Sequence, residues 1–363
     1  MPAAADPALE TLLLPLAQGA LQWPDRGGAL FLHARVGPAL FDAPRPGLVC
    51  QQGFKPEADA LQRAGLTTAV EVDPAARFPL VLVLPPRQRD EARALFAQAV
   101  AHAAPGGIVV AAMANAEGAK SGQADLARLA GPLQVQSRHH CRVFWTAPLD
   151  GAHDAALADE WRDADAPRTV GDGRYLSRPG VFAWNRIDPA SALLAAQLPS
   201  DLAGHGADLG AGHGYLASEI LTRCPAVTAL DVYEADARAL DLARSNLAPF
   251  GARAALSFHW HDVTGGLLQP CDFVVSNPPF HALTQADRPD LGRAFIAAAA
   301  AALRPGGRLL MVANRHLPYE AELGAQFGAV RVLAQAQGFK AILAIKGPVA
   351  VAPVPRPPRH TRA

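Results

Sequence analysis

One arrangement occurs twice in this chain, and it restricts the possible folds more than any other feature. Residues 78–84 form an almost unbroken apolar run that Pro85-Pro86 stops; a helical pattern over 90–104, Pro105-Gly106-Gly107 and the apolar run 108–112 follow. Residues 271–275 form a second such run, stopped by Asn277-Pro278-Pro279; a helical pattern over 291–303, Pro305-Gly306-Gly307 and the run 308–312 follow. Even the exits look alike, Met113-Ala114-Asn115 against Met311-Val312-Ala313-Asn314. A continuous apolar strand is buried on both faces, the mark of a parallel sheet covered by helices. Proline donates no hydrogen bond to a ladder, so each Pro-Pro pair forces the chain out of its sheet. The repeat predicts a duplicated α/β fold with two doubly wound, mostly parallel sheets.

Alternation is cleanest in the second half. Strands are expected at 206–209, 227–231 and 255–260, with helices at 191–198, 215–224 and 235–247. In the first half, strands at 29–32 and 47–50, a helix at 55–65 closed by Gly65, and a short amphipathic helix over 8–21 are expected. A chain of 363 residues, half of them apolar, has ample material for two cores. Residues 147–166 are rich in Asp and Ala with little periodicity, which places the boundary there. The division is residues 1–160, 161–348, and a Pro-rich tail 349–363 carrying Arg356, Arg359, His360 and Arg362. Zero net charge excludes a global field for nucleic acid, so any such contact must be local. No apolar run approaches the roughly 20 residues that span a bilayer, and residues 1–10 lack a basic stretch. Four scattered cysteines read as thiols of a reducing compartment, so a cytoplasmic protein is expected.

Chemistry is expected where the two halves differ. Asn277 and Pro278 both precede a proline and stand extended, so Ser276-Asn277-Pro278-Pro279-Phe280 is a rigid hook. It presents an amide oxygen, a backbone carbonyl and an aromatic face, a set that suits a planar group bearing an exocyclic NH2. The same residues also serve as a plain strand-ending turn. In the first half, Leu84-Pro85-Pro86-Arg87 lacks both Asn and aromatic, and no acidic-x-Gly-x-Gly turn precedes it. That half reads as a fold without catalysis. Upstream of the hook, Asp208-Leu209-Gly210-Ala211-Gly212-His213-Gly214 joins a strand to a helix; its glycines let a ligand approach the backbone. Tyr215 stands where a dinucleotide fingerprint has Gly or Ala, which disfavours a nicotinamide enzyme. Asp231, expected to end the next strand, can accept the ribose hydroxyls of an adenosine, and Asp262 can meet its adenine amino group or stay a surface carboxylate. His259-x-His261 places two rings on one strand face, but no third ligand completes a metal site. Lys55, Arg87, Arg89 and Arg315 are candidates for phosphate contact or ordinary surface charges.

Taken in order, Asp208-x-Gly-x-Gly-x-Gly, Asp231, Asp262 and Asn277-Pro278-Pro279-Phe280 resemble a class I S-adenosylmethionine-dependent methyltransferase with a Rossmann-like fold. The longer set, with His281, the stretch 312–319 and Gly338-Phe339-Lys340, resembles bacterial ribosomal RNA guanine-N2 methyltransferases, in which a degenerate methyltransferase-like domain precedes a catalytic one. Ala282-Leu283 follow His281 where small-subunit enzymes commonly have Asp-Gly; the 16S type is nonetheless favoured over the 23S type. The resemblance implies S-adenosylmethionine held by Asp208, Leu209, Gly210, Ala211, Gly212, Gly214, Asp231, Asp262 and Asn277. It implies catalysis by Asn277, Pro278, Pro279 and Phe280, and a guanine met by Phe280, His281 and Arg315. A monomer acting on ribosomal RNA or a ribosomal subunit is expected, without a metal. Competing readings are a protein-glutamine or DNA-adenine methyltransferase built on the same hook, and an RNA-binding assembly module without catalysis.

Overall fold

The computed structural model describes residues 6–151, 153–279 and 289–348. It contains two seven-stranded sheets. The first is built from β1 (Ala29–Leu32), β2 (Leu48–Gln51), β3 (Thr67–Ala69), β4 (Phe78–Val83), β5 (Ala103–Ala114), β6 (Leu133–Arg138) and β7 (Cys141–Thr146). A hairpin of β8 (Arg168–Val170) and β9 (Tyr175–Ser177) follows. The second sheet is built from β10 (Ala203–Leu209), β11 (Ala226–Glu234), β12 (Ala255–Trp260), β13 (Cys271–Ser276), β14 (Leu303–Asn314), β15 (Ala329–Ala336) and β16 (Phe339–Ile345).

Their orders are β3-β2-β1-β4-β5-β7-β6 and β12-β11-β10-β13-β14-β16-β15, which is one topology used twice. In each sheet one strand, β7 or β16, runs against the others, and the edge strand β6 or β15 pairs antiparallel with it. The chain is therefore two mostly parallel α/β domains, each with the order reversal beside its first strand that opens a crevice for ligands. Pairing registers align the domains residue by residue. Ala29 opposite Leu80 corresponds to Gly206 opposite Phe273, so Phe31 takes the place of Asp208 and His33 that of Gly210. On the next strand Gln52 takes the place of Glu234, and beyond β4 Leu84 takes that of Asn277.

The Pro-Gly-Gly segments do not precede their strands but lie inside β5 and β14, at a break of register. Gly106 and Gly306 both sit at φ +78°, and a Cβ on Gly107 or Gly307 would lie 2.8 Å from a carbonyl oxygen. The expected match of Ala-Asn exits is out of step by one residue: register pairs Ala114, not Asn115, with Asn314. The stretch 147–166 is not structureless either. A helix, Ala155–Ala164, packs Leu157, Ala158 and Trp161 into the core of the first sheet, so residue 160 falls inside a helix. Among the described residues no helix is long and apolar enough to cross a membrane. All four cysteines are buried and free.

The domains meet where their second strands turn into helices. Lys55 N–H donates to the Ala235 carbonyl at 2.8 Å, and Ala237 N–H to the Gly53 carbonyl at 2.9 Å. Lys55 corresponds to Ala237 and Gly53 to Ala235, so the two bonds are related by a local twofold passing between Phe54 and Asp236, which form an antiparallel bridge. Trp260 Nε1 donates to both carbonyls, at 2.9 and 2.8 Å. Arg238 adds charge to the contact, reaching Glu91 of the first domain, Asp165, and the Pro179 carbonyl.

Candidate functional site

The crevice of the second domain is lined by the turn Gly210-Ala211-Gly212-His213 after β10, by Asn277 after β13, by Asp188 and Ser191, and by Phe182 and Ala183. Each wall has a physical reason. Gly210, Gly212 and Gly214 stand at φ +69°, +57° and +89°, a left-handed region that favours glycine. Space is open over Gly212, whereas a Cβ on Gly214 would meet Ala243 at 3.3 Å; one glycine exposes backbone and the other packs a helix. The turn is held from β11, since Gly210 and Ala211 donate to the Tyr233 carbonyl at 2.9 and 3.0 Å. The far wall follows the β8–β9 hairpin. Asn246 bonds Leu176 on both sides and donates to the His213 carbonyl at 2.8 Å. Val181 is buried against Ala239 and Leu242, which leaves Phe182 65% exposed beside the crevice with Ala183 strained at φ +52°.

Asp208 lies behind the turn, fully buried, and neither carboxylate oxygen closes a hydrogen bond with the described chain. Burial pushes its carboxyl up to about 7; the Ala217 amide opposes that shift and the charge of Glu234 adds to it. A buried carboxylate with no more than the weak pull of the Ala217 amide calls for a positive or hydrogen-donating group, since leaving it unpaired is costly. Leu209 beside it belongs to the core.

Asp231 is not where the sequence placed it. Strand β11 continues three residues further, because Val232 and Tyr233 are both buried in the sheet. Asp231 lies about 10 Å back along the strand. There its two oxygens are taken by His205 Nε2 at 2.9 Å and His259 Nε2 at 3.2 Å. The acid at the strand's end is Glu234. One of its oxygens accepts from Gly212 N–H at 2.7 Å and the other from Asp236 N–H at 2.8 Å. Burial pushes Glu234 up to about 7 against the pull of those amides. Its sequence signal was the capping residue Asp236, which starts the helix Ala237–Leu247 and fixes where the strand must stop.

Asp262 stands just past β12 and caps a short turn through Thr264 N–H at 3.0 Å and Thr264 Oγ1 at 2.7 Å. His259 stacks on Tyr233 while His261 Nε2 donates to the Gly266 carbonyl at 2.8 Å. Among the described residues no group of three His, Cys, Asp or Glu side chains could hold a metal.

Asn277 is half-buried at the end of β13, with Pro278 buried and Pro279 exposed after it. Asn277 Nδ2 donates to Asp188 Oδ2 at 3.0 Å and to Ser191 Oγ at 2.8 Å. The amide's sense is assigned from that network, and it turns Oδ1 away from both partners. Phe280 and His281 lie outside the described residues, as does the tail 349–363. Arg315 is exposed in the turn after β14, its N–H bonded to the Gly338 carbonyl at 2.8 Å, and it does not line the crevice. The crevice thus gathers Gly210, Ala211, Gly212 and Asn277, with Asp208 and Gly214 behind them. It leaves Asp231 aside and adds Asp188, Ser191 and Phe182, while Glu234 holds the turn through Gly212 N–H.

Known proteins resemble this chain at every level. The model of the methyltransferase small domain matches residues 172–343. The ribosomal RNA small subunit methyltransferase C of Pseudomonas aeruginosa is 32% identical over 273 residues, which cover 74% of this chain and 79% of that relative. Its namesake from Alteromonas mediterranea is 31% identical over 226 residues, a match spanning 61% of its own length. Among solved structures, the T. thermophilus 16S rRNA N2 methyltransferase (RsmC), in complex with AdoMet and guanosine, superposes with a TM-score of 0.76. It is 23% identical and the match covers 95% of this chain and 94% of that one, so the likeness extends to both domains of the fold. Sequence identity and coverage together place the chain in the ribosomal RNA small subunit methyltransferase C family.

Proposed function

We propose that this chain methylates the exocyclic N2 of a guanine in 16S ribosomal RNA, with S-adenosylmethionine as donor. The observation that carries the reading is the held amide of Asn277 beside a glycine turn backed by an unpartnered carboxylate. The crevice suits the donor on its own chemistry. Asp208 offers buried negative charge, Glu234 a carboxylate beside the turn, and Gly212 open space for close approach. When bound, S-adenosylmethionine supplies a methyl group already activated on a sulfonium.

The residues supply orientation. A guanine amine is a weak nucleophile because its lone pair is delocalised into the ring. Asn277 Oδ1 and the Pro278 carbonyl accept its two hydrogens, favour a pyramidal nitrogen and aim the lone pair. Phe280 stacks on the base, and His281 and Arg315 contact the RNA around it. Fixed dipoles and positioning of this kind contribute several kcal/mol, on the order of three powers of ten in rate, without a strong base. The amine proton leaves to water. The base must be flipped out or unpaired to reach the hook. The first domain serves as a buttress or RNA contact, and the protein acts as a monomer in the cytoplasm.

The test supplies labelled S-adenosylmethionine with small and large ribosomal subunits from cells lacking this gene. Label recovered as N2-methylguanosine from small-subunit RNA is expected. Label in large-subunit RNA would move the target, and label in protein alone would overturn the reading.

A further inference from the structure

We propose that Asp188 and Ser191 are positioning residues that fix the hydrogen-bonding sense of Asn277, so that its oxygen and not its nitrogen meets the methyl-accepting amine. The inference rests on the proposed reaction, in which Oδ1 accepts a hydrogen from that amine. An asparagine amide has two nearly isosteric ends, and the wrong one would set donor against donor. Neighbours decide between them.

Here the decision comes from the first turn of the helix Pro189–Ala196. Asp188 Oδ2 caps that helix by accepting Ser191 N–H at 2.8 Å, and the same oxygen takes Asn277 Nδ2 at 3.0 Å. The carboxylate has no hydrogen to offer Oδ1, so the reversed amide would face it oxygen to oxygen. Ser191 Oγ takes the remaining Nδ2 hydrogen at 2.8 Å. Both amide hydrogens are committed, and among the described residues no donor is bonded to Oδ1. The charge of the carboxylate also polarises the amide, which makes Oδ1 a stronger acceptor as the attacking nitrogen turns positive.

The first domain shows that helix capping alone does not explain the arrangement. Asp6-Pro7-Ala8-Leu9 opens its first helix as Asp188-Pro189-Ala190-Ser191 opens the equivalent one. Asp6 caps through Ala8 and Leu9 N–H at 3.0 and 3.1 Å. Its other oxygen pairs with Arg35 at 3.1 Å; Leu9 replaces the serine and Leu84 the asparagine. The cap occurs in both halves, whereas the grip on an amide occurs only in the half with the glycine turn.

Asp188→Ala and Asp6→Ala therefore form a matched pair, each losing one helix cap. Asp188→Ala is expected to lower kcat at least 30-fold with the affinity for S-adenosylmethionine within about threefold, whereas Asp6→Ala leaves kcat within twofold. Asp188→Asn, which keeps an acceptor at the cap but loses the charge and brings hydrogens that can meet Oδ1, should recover only part of the loss, and Ser191→Ala should cost severalfold in kcat. A second readout does not depend on the methyl acceptor. The side-chain amide protons of Asn277, identified by their absence in Asn277→Ser, should exchange slowly with solvent in the parent and rapidly in Asp188→Ala. Equal kcat losses in the matched pair, an Asp188→Ala kcat within threefold of the parent, or equally fast amide exchange in both proteins would overturn the proposal. If methyl transfer proves to go elsewhere than guanine, the exchange measurement still decides whether the grip exists.

Discussion

The two domains share a topology and a register, and they differ at the few positions where one opens a crevice and the other closes it. At the end of the first strand the second domain has Asp208 and Gly210, the first Phe31 and His33. His33 keeps the left-handed turn at φ +55°, and its Nδ1 bonds the Leu84 carbonyl at 2.9 Å, tying the turn to the residue that takes the place of Asn277. Burial lowers its pKa and favours the neutral ring. At the end of the second strand Glu234 and Gln52 each accept an N–H from two residues onward, at 2.8 Å. Their other ends diverge. Glu234 accepts from Gly212 N–H, whereas Gln52 donates to the Ala34 carbonyl at 2.7 Å and ties the turn shut. In the first domain two of these positions turn apolar, Phe31 and Leu84, and the two that stay polar, His33 and Gln52, find partners within the chain.

The most severe break of the comparison is to strip the second domain of its hook residue. Asn277→Ala should lower methyl transfer by about 10³-fold, measured in single turnover, while affinity for S-adenosylmethionine stays within a few-fold. Glu234→Gln imports Gln52 and should weaken cofactor binding at least tenfold by calorimetry, because it replaces an acceptor carboxylate with an amide able to close on the turn.

Acidity gives a smaller effect with a definite sign. Asp208 and Glu234 are raised to about 7, so both are partly protonated there in the unliganded protein. Binding a cationic ligand favours their ionised forms. Affinity should therefore fall severalfold as pH drops from 8 through about 7 to about 6, and the fall should be shallower in Glu234→Gln. Stability of the unliganded protein runs the other way. Between the ordinary carboxylate value near 4 and about 7 the folded state holds more protons than the unfolded one, so stability declines as pH rises across that window. Thermal melts at fixed ionic strength would show it.

Trp260→Phe removes the donor shared by the Gly53 and Ala235 carbonyls and should destabilise the chain by about 1 kcal/mol, read as an earlier transition in thermal melts. The smallest effect sharpens the comparison from the other side. His33→Gly unties the turn of the first domain but leaves Phe31, Gln52 and Leu84 in place, so titration should reveal no added cofactor site.

The sequence made the duplicated fold visible because Pro-Pro and Pro-Gly-Gly interrupt otherwise continuous apolar runs, and such interruptions survive when side chains diverge. The glycine turn and Asn277 were legible for the same reason, since backbone geometry dictates them. The acid that ends the second strand was not. Asp231 and Glu234 are both acids on one strand, and only the burial of Val232 and Tyr233 shows which of them ends it. The helix Ala155–Ala164 escaped because its few buried residues are spaced among charges in an Ala-rich stretch. Asp188 and Ser191 lie far from Asn277 in sequence, and nothing short of the fold brings them to its amide. The one-residue slip in the Ala-Asn match shows the opposite hazard, a resemblance of letters that register does not support.

The central claim is that one crevice of two remains open. Isothermal titration of the intact chain with S-adenosylmethionine tests it most directly. The account predicts one site per chain, with binding lost or weakened at least tenfold in Asp208→Asn/Glu234→Gln and unchanged in His33→Gly. Two sites per chain, or one site that survives the double substitution intact, would contradict it.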